Sequence, residues 1–320
     1  MSDSKNWRRS GKALAFLGTL LSAAPALAAG GVAIDGRSLP AGEVQTLERD
    51  IRAYKATNPG AFDALRTVRG CSEAGYRVAR NPVPNCSREL RRLGPGVLLP
   101  MLEALALREP TGLATSEAEK RALGHALLQA IGIARDTRAL PWVEAVLLRG
   151  VRRDAATLGF AGEAIGRIGT DAAVALLIRH SVAGDPLRLA AIAGLGQVRA
   201  LPTAQHLVGL ATQQQPTEVL RAIARSLGVM GSSWAWRAMG PKAHSLGLQV
   251  RAEAAGALAL LFVLHGGEIR EEAGKGLLMT ELPGTRAMLT NMRSLTDADG
   301  AKAIDKFLSD YKRLLPPDAP

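Results

Sequence analysis

The chain has 320 residues, 47% of them apolar, 22% charged and only 4% aromatic, with a formal net charge of +11. That apolar share excludes a disordered polymer, which needs low hydrophobicity. Thirty-four glycines beside so few aromatic rings point to small, closely packed helices, so a continuous stack competes with the two globules that length alone suggests. The positive excess invites a nucleic-acid or acidic-lipid partner, and its placement along the chain decides how far that invitation extends.

Residues 1–28 read as an export signal. Lys5, Arg8, Arg9 and Lys12 form a basic start, Ala13 to Leu21 an apolar run, and Ala26-Leu27-Ala28 a small-x-small cleavage triplet. The run is too short for a membrane span, which needs about 20 apolar residues. Cleavage would remove four bases and one acid, taking the net charge from +11 to +8. The expected location is periplasmic or secreted.

Residues 29–92 read as an N-terminal helical cap with one or two helices over 41–69. Cys71 and Cys86 are the only two cysteines, 15 positions apart. An even count in an exported chain reads as a disulfide, and closing that loop stabilises the fold by roughly 3 kcal/mol by restricting the unfolded chain. Two free thiols are the alternative; with no histidine nearby a metal site is not supported. The same region concentrates charge. Within residues 48–92, Arg49, Arg52, Lys55, Arg66, Arg69, Arg77, Arg80, Arg88, Arg91 and Arg92 face only Glu48, Asp50, Asp63, Glu73 and Glu89, an excess of +5. A solvated basic cap is the simpler account. An acidic partner surface is the functional one, with Arg66, Arg69, Arg77, Arg80, Arg88, Arg91 and Arg92 as its candidates.

Over residues 93–265 the chain repeats. The anchors Ile131-Gly132, Ile165-Gly166, Leu195-Gly196, Leu227-Gly228 and Leu258-Ala259 are spaced by 34, 30, 32 and 31 residues, a period that signals stacked supersecondary units. A run of small and aliphatic residues precedes each anchor, and each glycine is expected to end a first helix. Arg138-Ala139-Leu140-Pro141 and Arg199-Ala200-Leu201-Pro202 recur 61 positions apart and open a second helix, since proline suits a first helical turn. Each unit is a helical hairpin that buries its apolar stripe only against its neighbours. Residues 266–315 read as a helical C-terminal cap and 316–320 as a disordered tail.

These residues resemble the HEAT repeat family, in its short form also found in phycobilin lyases. The likeness rests on Leu187-Arg188, Leu220-Arg221 and Val250-Arg251 opening the first helix, the Leu-Gly or Ile-Gly close, and the Ala-Leu-Pro start of the second. It implies an all-α superhelix, a HEAT-like solenoid of helical hairpins. Family repeats often place an aspartate between the helices to meet the first-helix arginine; Asp136 and Asp171 match, whereas the repeats after Gly196 and Gly228 lack it. HEAT-type di-iron hydroxylases carry His-Glu pairs, and none of His125, His180, His206, His244 and His265 is followed by glutamate.

The candidate binding surface is Trp142, Glu144, Gln205, His206, Trp234 and Trp236: exposed tryptophans anchor interfaces, although rings that merely fill gaps between repeats are the simpler account. Arg188, Arg221 and Arg251 recur at the repeat period, which points to stacking before ligand binding. No nucleophile elbow, phosphate loop or His-Glu-x-x-His is present, so no catalytic residue, metal or cofactor is expected. The leading expectation is an exported, non-enzymatic scaffold that binds another protein. The alternatives are an accessory lyase or isomerase acting on a small ligand, and polyanion binding through the arginine-rich end; export argues against a genomic substrate.

Overall fold

The computed structural model describes residues 30–73, 84–109, 112–182 and 184–314. The expected export signal, Arg77, Arg80 and the 316–320 tail lie outside the described residues. Among the described residues all regular structure is helical. The chain is an all-α solenoid.

The N-terminal part holds α1 (Ala41–Thr57), α2 (Pro59–Thr67), α3 (Ser87–Arg92) and α4 (Leu98–Leu102), the last running into a π-helical turn at Glu103–Leu107. Cys71 and Cys86 form a disulfide with both residues buried, a pairing that fits an oxidising compartment. The repeats follow as α5 (Glu117–Ala134), α6 (Leu140–Arg149), α7 (Ala155–Ile168), α8 (Asp171–His180), α9 (Arg188–Leu195), α10 (Leu201–Ala211), α11 (Thr217–Met230), α12 (Ser233–Arg237) and α13 (His244–Leu264). The chain closes with α14 (Gly267–Thr280), α15 (Thr285–Arg293) and α16 (Ala298–Asp310).

Helix starts follow local chemistry. Ser116, Asp154, Thr170 and Asp297 each accept a backbone N–H in the first turn of the helix they precede, satisfying donors that have no intrahelical partner. Pro141 and Pro202 stand in the first turns of α6 and α10, where a missing N–H costs nothing.

Two layers result. Helices α5, α7, α9, α11 and α14 pack side by side in one, while α6, α8, α10 and α13 each pack against the first-layer helix that follows them. The first layer is held at backbone contact by small residues. A Cβ on Gly132 would stand 2.7 Å from Ala164 Cα, one on Gly196 2.9 Å from Ser226 Cα, and one on Gly228 2.8 Å from Gly276 Cα. Gly166 meets the Gly194 carbonyl closer still.

This corrects the expected role of the anchor glycines. Gly132, Gly166 and Gly228 lie inside the last turns of α5, α7 and α11, and only Gly196 caps its helix. They are there because neighbouring helices come too close for a side chain. Leu258-Ala259, the fifth anchor by spacing, sits on α13 in the other layer together with Val250-Arg251; Gly276 on α14 takes the place beside Gly228.

The recurrent arginines bond between units. Arg188 donates to the Ser181 carbonyl at 3.0 Å and to Gln215 at 2.6 Å. Arg221 pairs with Glu268 at 2.5 Å, and Arg251 donates to the carbonyls of Thr280 and Glu281 at 2.7 and 2.6 Å, where α14 ends. Asp136 meets Arg138 of its own turn rather than an arginine of a first-layer helix.

The segment Val32–Ile34 is a buried strap. Val32, Ala33 and Ile34 donate their N–H groups to the carbonyls of Ala104 and Leu105 in the π-helical turn, and Ala33 accepts from Val151 at 3.1 Å. The strap thereby satisfies backbone acceptors that the irregular turn leaves open. Pro241–Leu264 is long and apolar enough to cross a membrane by composition, and 56% of its window is buried inside the stack.

Candidate functional site

Where α10 and α13 meet, the second layer opens into a groove of about 590 Å³ lined by Leu201, Val208, Gln249, Ala252, Glu253, Gly256, Ala257 and Leu260. Leu201 and Val208 are seven residues apart and share one face of α10. Gln249, Ala252/Glu253, Gly256 and Leu260 form the matching stripe on α13, since positions three and four apart lie together on a helix. Of the small lining residues Ala257 is buried, Gly256 half-buried and Ala252 exposed, and Leu260 is exposed as well. Gln249 and Glu253 are the polar groups of the lining, an amide and one carboxylate with no histidine, serine or cysteine among the lining residues.

The sequence-nominated residues fall in different places. Trp142 is buried at the start of α6, with Glu144 half-exposed beside it. Trp236 is buried, donates its indole N–H to the Met230 carbonyl at 2.8 Å and covers Gly247. These two rings fill gaps in the stack. Trp234 is 73% exposed. Both Trp234 and Trp236 belong to the short α12, so neither opens the second-layer helix α13.

Gln205 is exposed on α10, one turn from Leu201, on the side that reaches the groove. His206 points to the neighbouring unit: Ser181 Oγ donates to the Ile178 carbonyl at 2.8 Å, so the 2.9 Å contact to His206 Nε2 is a bond donated by the imidazole. Burial pulls the His206 pKa below its ordinary value. Glu144, Gln205 and His206 therefore do not form one constellation.

At the basic end three of the nominated arginines have partners within the chain. Arg66 pairs with Asp63 at 3.1 Å, Arg69 donates to the Gly112 carbonyl at 3.1 Å and Arg91 to the Ser87 carbonyl at 3.3 Å. Arg88 and Arg92 are exposed on α3.

One buried polar cluster had no precedent in the sequence reading. His125 on α5 is 1% exposed and stacks on Phe160 with ring centroids 4.7 Å apart. Thr157 Oγ1 donates to Asp154 Oδ2 at 2.8 Å, so the 2.9 Å contact from His125 Nε2 to Thr157 Oγ1 requires the proton on the imidazole. Burial drives the His125 pKa down to about 4, against an opposing pull from Asp154. Burial raises the Asp154 pKa, but the two bonds from Thr157 outweigh it and hold the carboxyl below its usual value. The cluster ties the cap of α7 to the middle of α5. Among the described residues no three or more His, Cys, Asp or Glu gather as metal ligands.

The groove escaped the sequence reading because its signal is small. Ala252, Gly256 and Ala257 look like any first-layer packing stripe until α13 is known to lie in the second layer.

No protein family and no curated protein matches this chain. Among solved structures, it is similar to a crystal structure of an engineered protein, with 17% identity over 62% of this chain and 93% of that one and a TM-score of 0.32. It is also similar to human deoxyhypusine hydroxylase in complex with glycerol, with 18% identity over 82% and 98% of the two chains and a TM-score of 0.32.

Proposed function

We propose that the chain is an exported HEAT-repeat scaffold, periplasmic or secreted, that binds another protein, and that the α10–α13 groove receives an apolar segment of that partner. The observation that carries this reading is the groove itself: an open, mainly apolar trough lined by small and aliphatic residues, with Leu260 exposed and one carboxylate, Glu253. A helix or extended segment with apolar residues at helical spacing fits such a trough, and a basic residue in it meets Glu253. The export sequence pattern and the Cys71–Cys86 disulfide support the compartment.

The test uses Gly256. Nothing stands within 4 Å of where its Cβ would be, so Gly256→Phe fills the trough without entering the core. A photo-crosslinker at Ala252 in exported protein is expected to capture one partner through one peptide, and Gly256→Phe to weaken that binding at least ~10-fold, about 1.4 kcal/mol, with an unchanged melting temperature. Unaltered capture in Gly256→Phe overturns the groove. Robust turnover in an activity screen with no protein captured overturns the scaffold.

A further inference from the structure

One six-residue pattern occurs three times: Asp35-Gly36-Arg37-Ser38-Leu39-Pro40, Asp136-Thr137-Arg138-Ala139-Leu140-Pro141 and Gln197-Val198-Arg199-Ala200-Leu201-Pro202. The first two copies share one geometry. Arg37 Nε and Nη2 bind the two Asp35 carboxylate oxygens at 3.0 and 2.7 Å, and Arg138 binds Asp136 at the same distances. In both, the aspartate also accepts the arginine's own backbone N–H at 3.0 Å and caps a 3₁₀ turn. The side-on arginine–carboxylate fork is the strong form of this contact.

The third copy has glutamine in place of the aspartate. No 3₁₀ turn forms at Val198–Ala200, and Ala200 is extended. Arg199 folds back, with Nη1 donating to the Gly196 carbonyl at 3.1 Å, and among the described residues no carboxylate reaches ion-pair distance of it. Two more arginines lie near. Arg135, Arg167 and Arg199 are 32 residues apart; the first two stand at the ends of the first-layer helices α5 and α7, and Arg199 in the connection from α9 to α10. Arg167 spends Nη2 on Glu163 at 2.7 Å, while its Nη1 is buried without a hydrogen-bond partner. Burial, and then the like charges of Arg135 and Arg167, push the Arg199 pKa down to about 10. Three cations thus share one neighbouring carboxylate, with an idle buried donor among them.

We propose that Arg199, flanked by Arg167 and Arg135, is a carboxylate-binding site in which an external acidic group takes the place that Asp35 and Asp136 fill in the other two copies. The ligand chemistry is a carboxylate presented edge-on to the guanidinium, carried either by a free dicarboxylate or by an acidic side chain of a bound polypeptide. The site is independent of the α10–α13 groove, and either can fail without the other.

Thermal melts of the full mature chain read it out, with succinate and a glutamate-rich acetylated peptide as the two probes and sodium chloride at matched ionic strength as control. Saturating probe is expected to raise the melting temperature by about 3 °C where chloride does not; a response to succinate assigns a free acid, and one to the peptide alone assigns a polypeptide. Gln197→Asp restores the internal carboxylate, so it is expected to raise the starting melting temperature and abolish the response to both probes. Arg199→Gln is expected to lose the response without lowering the starting melting temperature, because it removes an uncompensated charge. The proposal is overturned if neither probe acts beyond chloride, if Gln197→Asp responds like the parent, or if Arg199→Gln still responds.

Discussion

Gly166→Ala is expected to destabilise the solenoid by about 4 kcal/mol, although alanine is the better helix former by about 1 kcal/mol. The reason is what the new methyl group meets. On α7 it would overlap the carbonyl and Cα of Gly194 on α9, which are backbone atoms that cannot rotate away. Overpacking normally costs about 1–3 kcal/mol; here relief requires two helices to separate, which also loosens Gly162 against Ala190 along the same seam. Gly159 on the same helix provides the control. Nothing stands within 4 Å of its Cβ position, so Gly159→Ala is expected to stabilise by about 0.5–1 kcal/mol. Denaturant melts of both variants check the pair. Equal effects from the two substitutions would mean that α7 and α9 are not in backbone contact.

The second large effect is acid sensitivity from His125. In the unfolded chain its imidazole titrates at its ordinary value near 6.5, and in the folded chain burial holds it at about 4. Between these values the unfolded chain binds a proton that the folded chain refuses. Stability is therefore unaffected above about pH 6.5, falls as pH drops through the window, and has lost the full contribution below about pH 4. The two and a half pKa units amount to about 3–4 kcal/mol. His125→Gln keeps an amide donor for Thr157 Oγ1 and removes the titration, so its stability profile between pH 7 and 4 is expected to be flatter than that of the parent. Parallel profiles would place the acid sensitivity elsewhere. Asp154, whose carboxyl is held below its usual value, adds a loss of the same sign further down the scale.

Much of the solenoid was legible because repetition leaves periodic marks. The glycine spacing announced stacked hairpins, and Pro141 and Pro202 marked starts of second-layer helices. The cysteine pair, too, was readable from number and spacing. Other features left no local trace. Gly132, Gly166 and Gly228 look like helix stops in the sequence, because a glycine at a helix end and one at a helix crossing are the same letter. Only the distance to the neighbouring backbone distinguishes them. Val250-Arg251 and Leu258-Ala259 repeat the first-layer pattern and yet stand in the second layer, since the short α12 inserts between α11 and α13 and displaces the second-layer helix along the chain to where the spacing expects a first-layer one.

The surface residues show the same limit. Trp142, Trp234 and Trp236 were equivalent candidates by type, and burial separates the first and third from the second. Arg66, Arg69 and Arg91 formed a block of charge by composition, whereas each is individually bonded in the fold. Arg199, one arginine among many, became distinctive only when the carboxylates held by Arg37 and Arg138 gave its missing partner a shape.

The sequence alone determined that this protein is an all-α stack with a paired cysteine loop, because helix periodicity, turn chemistry and repeat length are properties of neighbouring residues. The tertiary structure decided which helix faces touch, which charges are left without partners and where the second layer opens. Those depend on contacts between residues about 30 or more positions apart, and the chain records such contacts only through small residues whose purpose is fixed by what lies across from them.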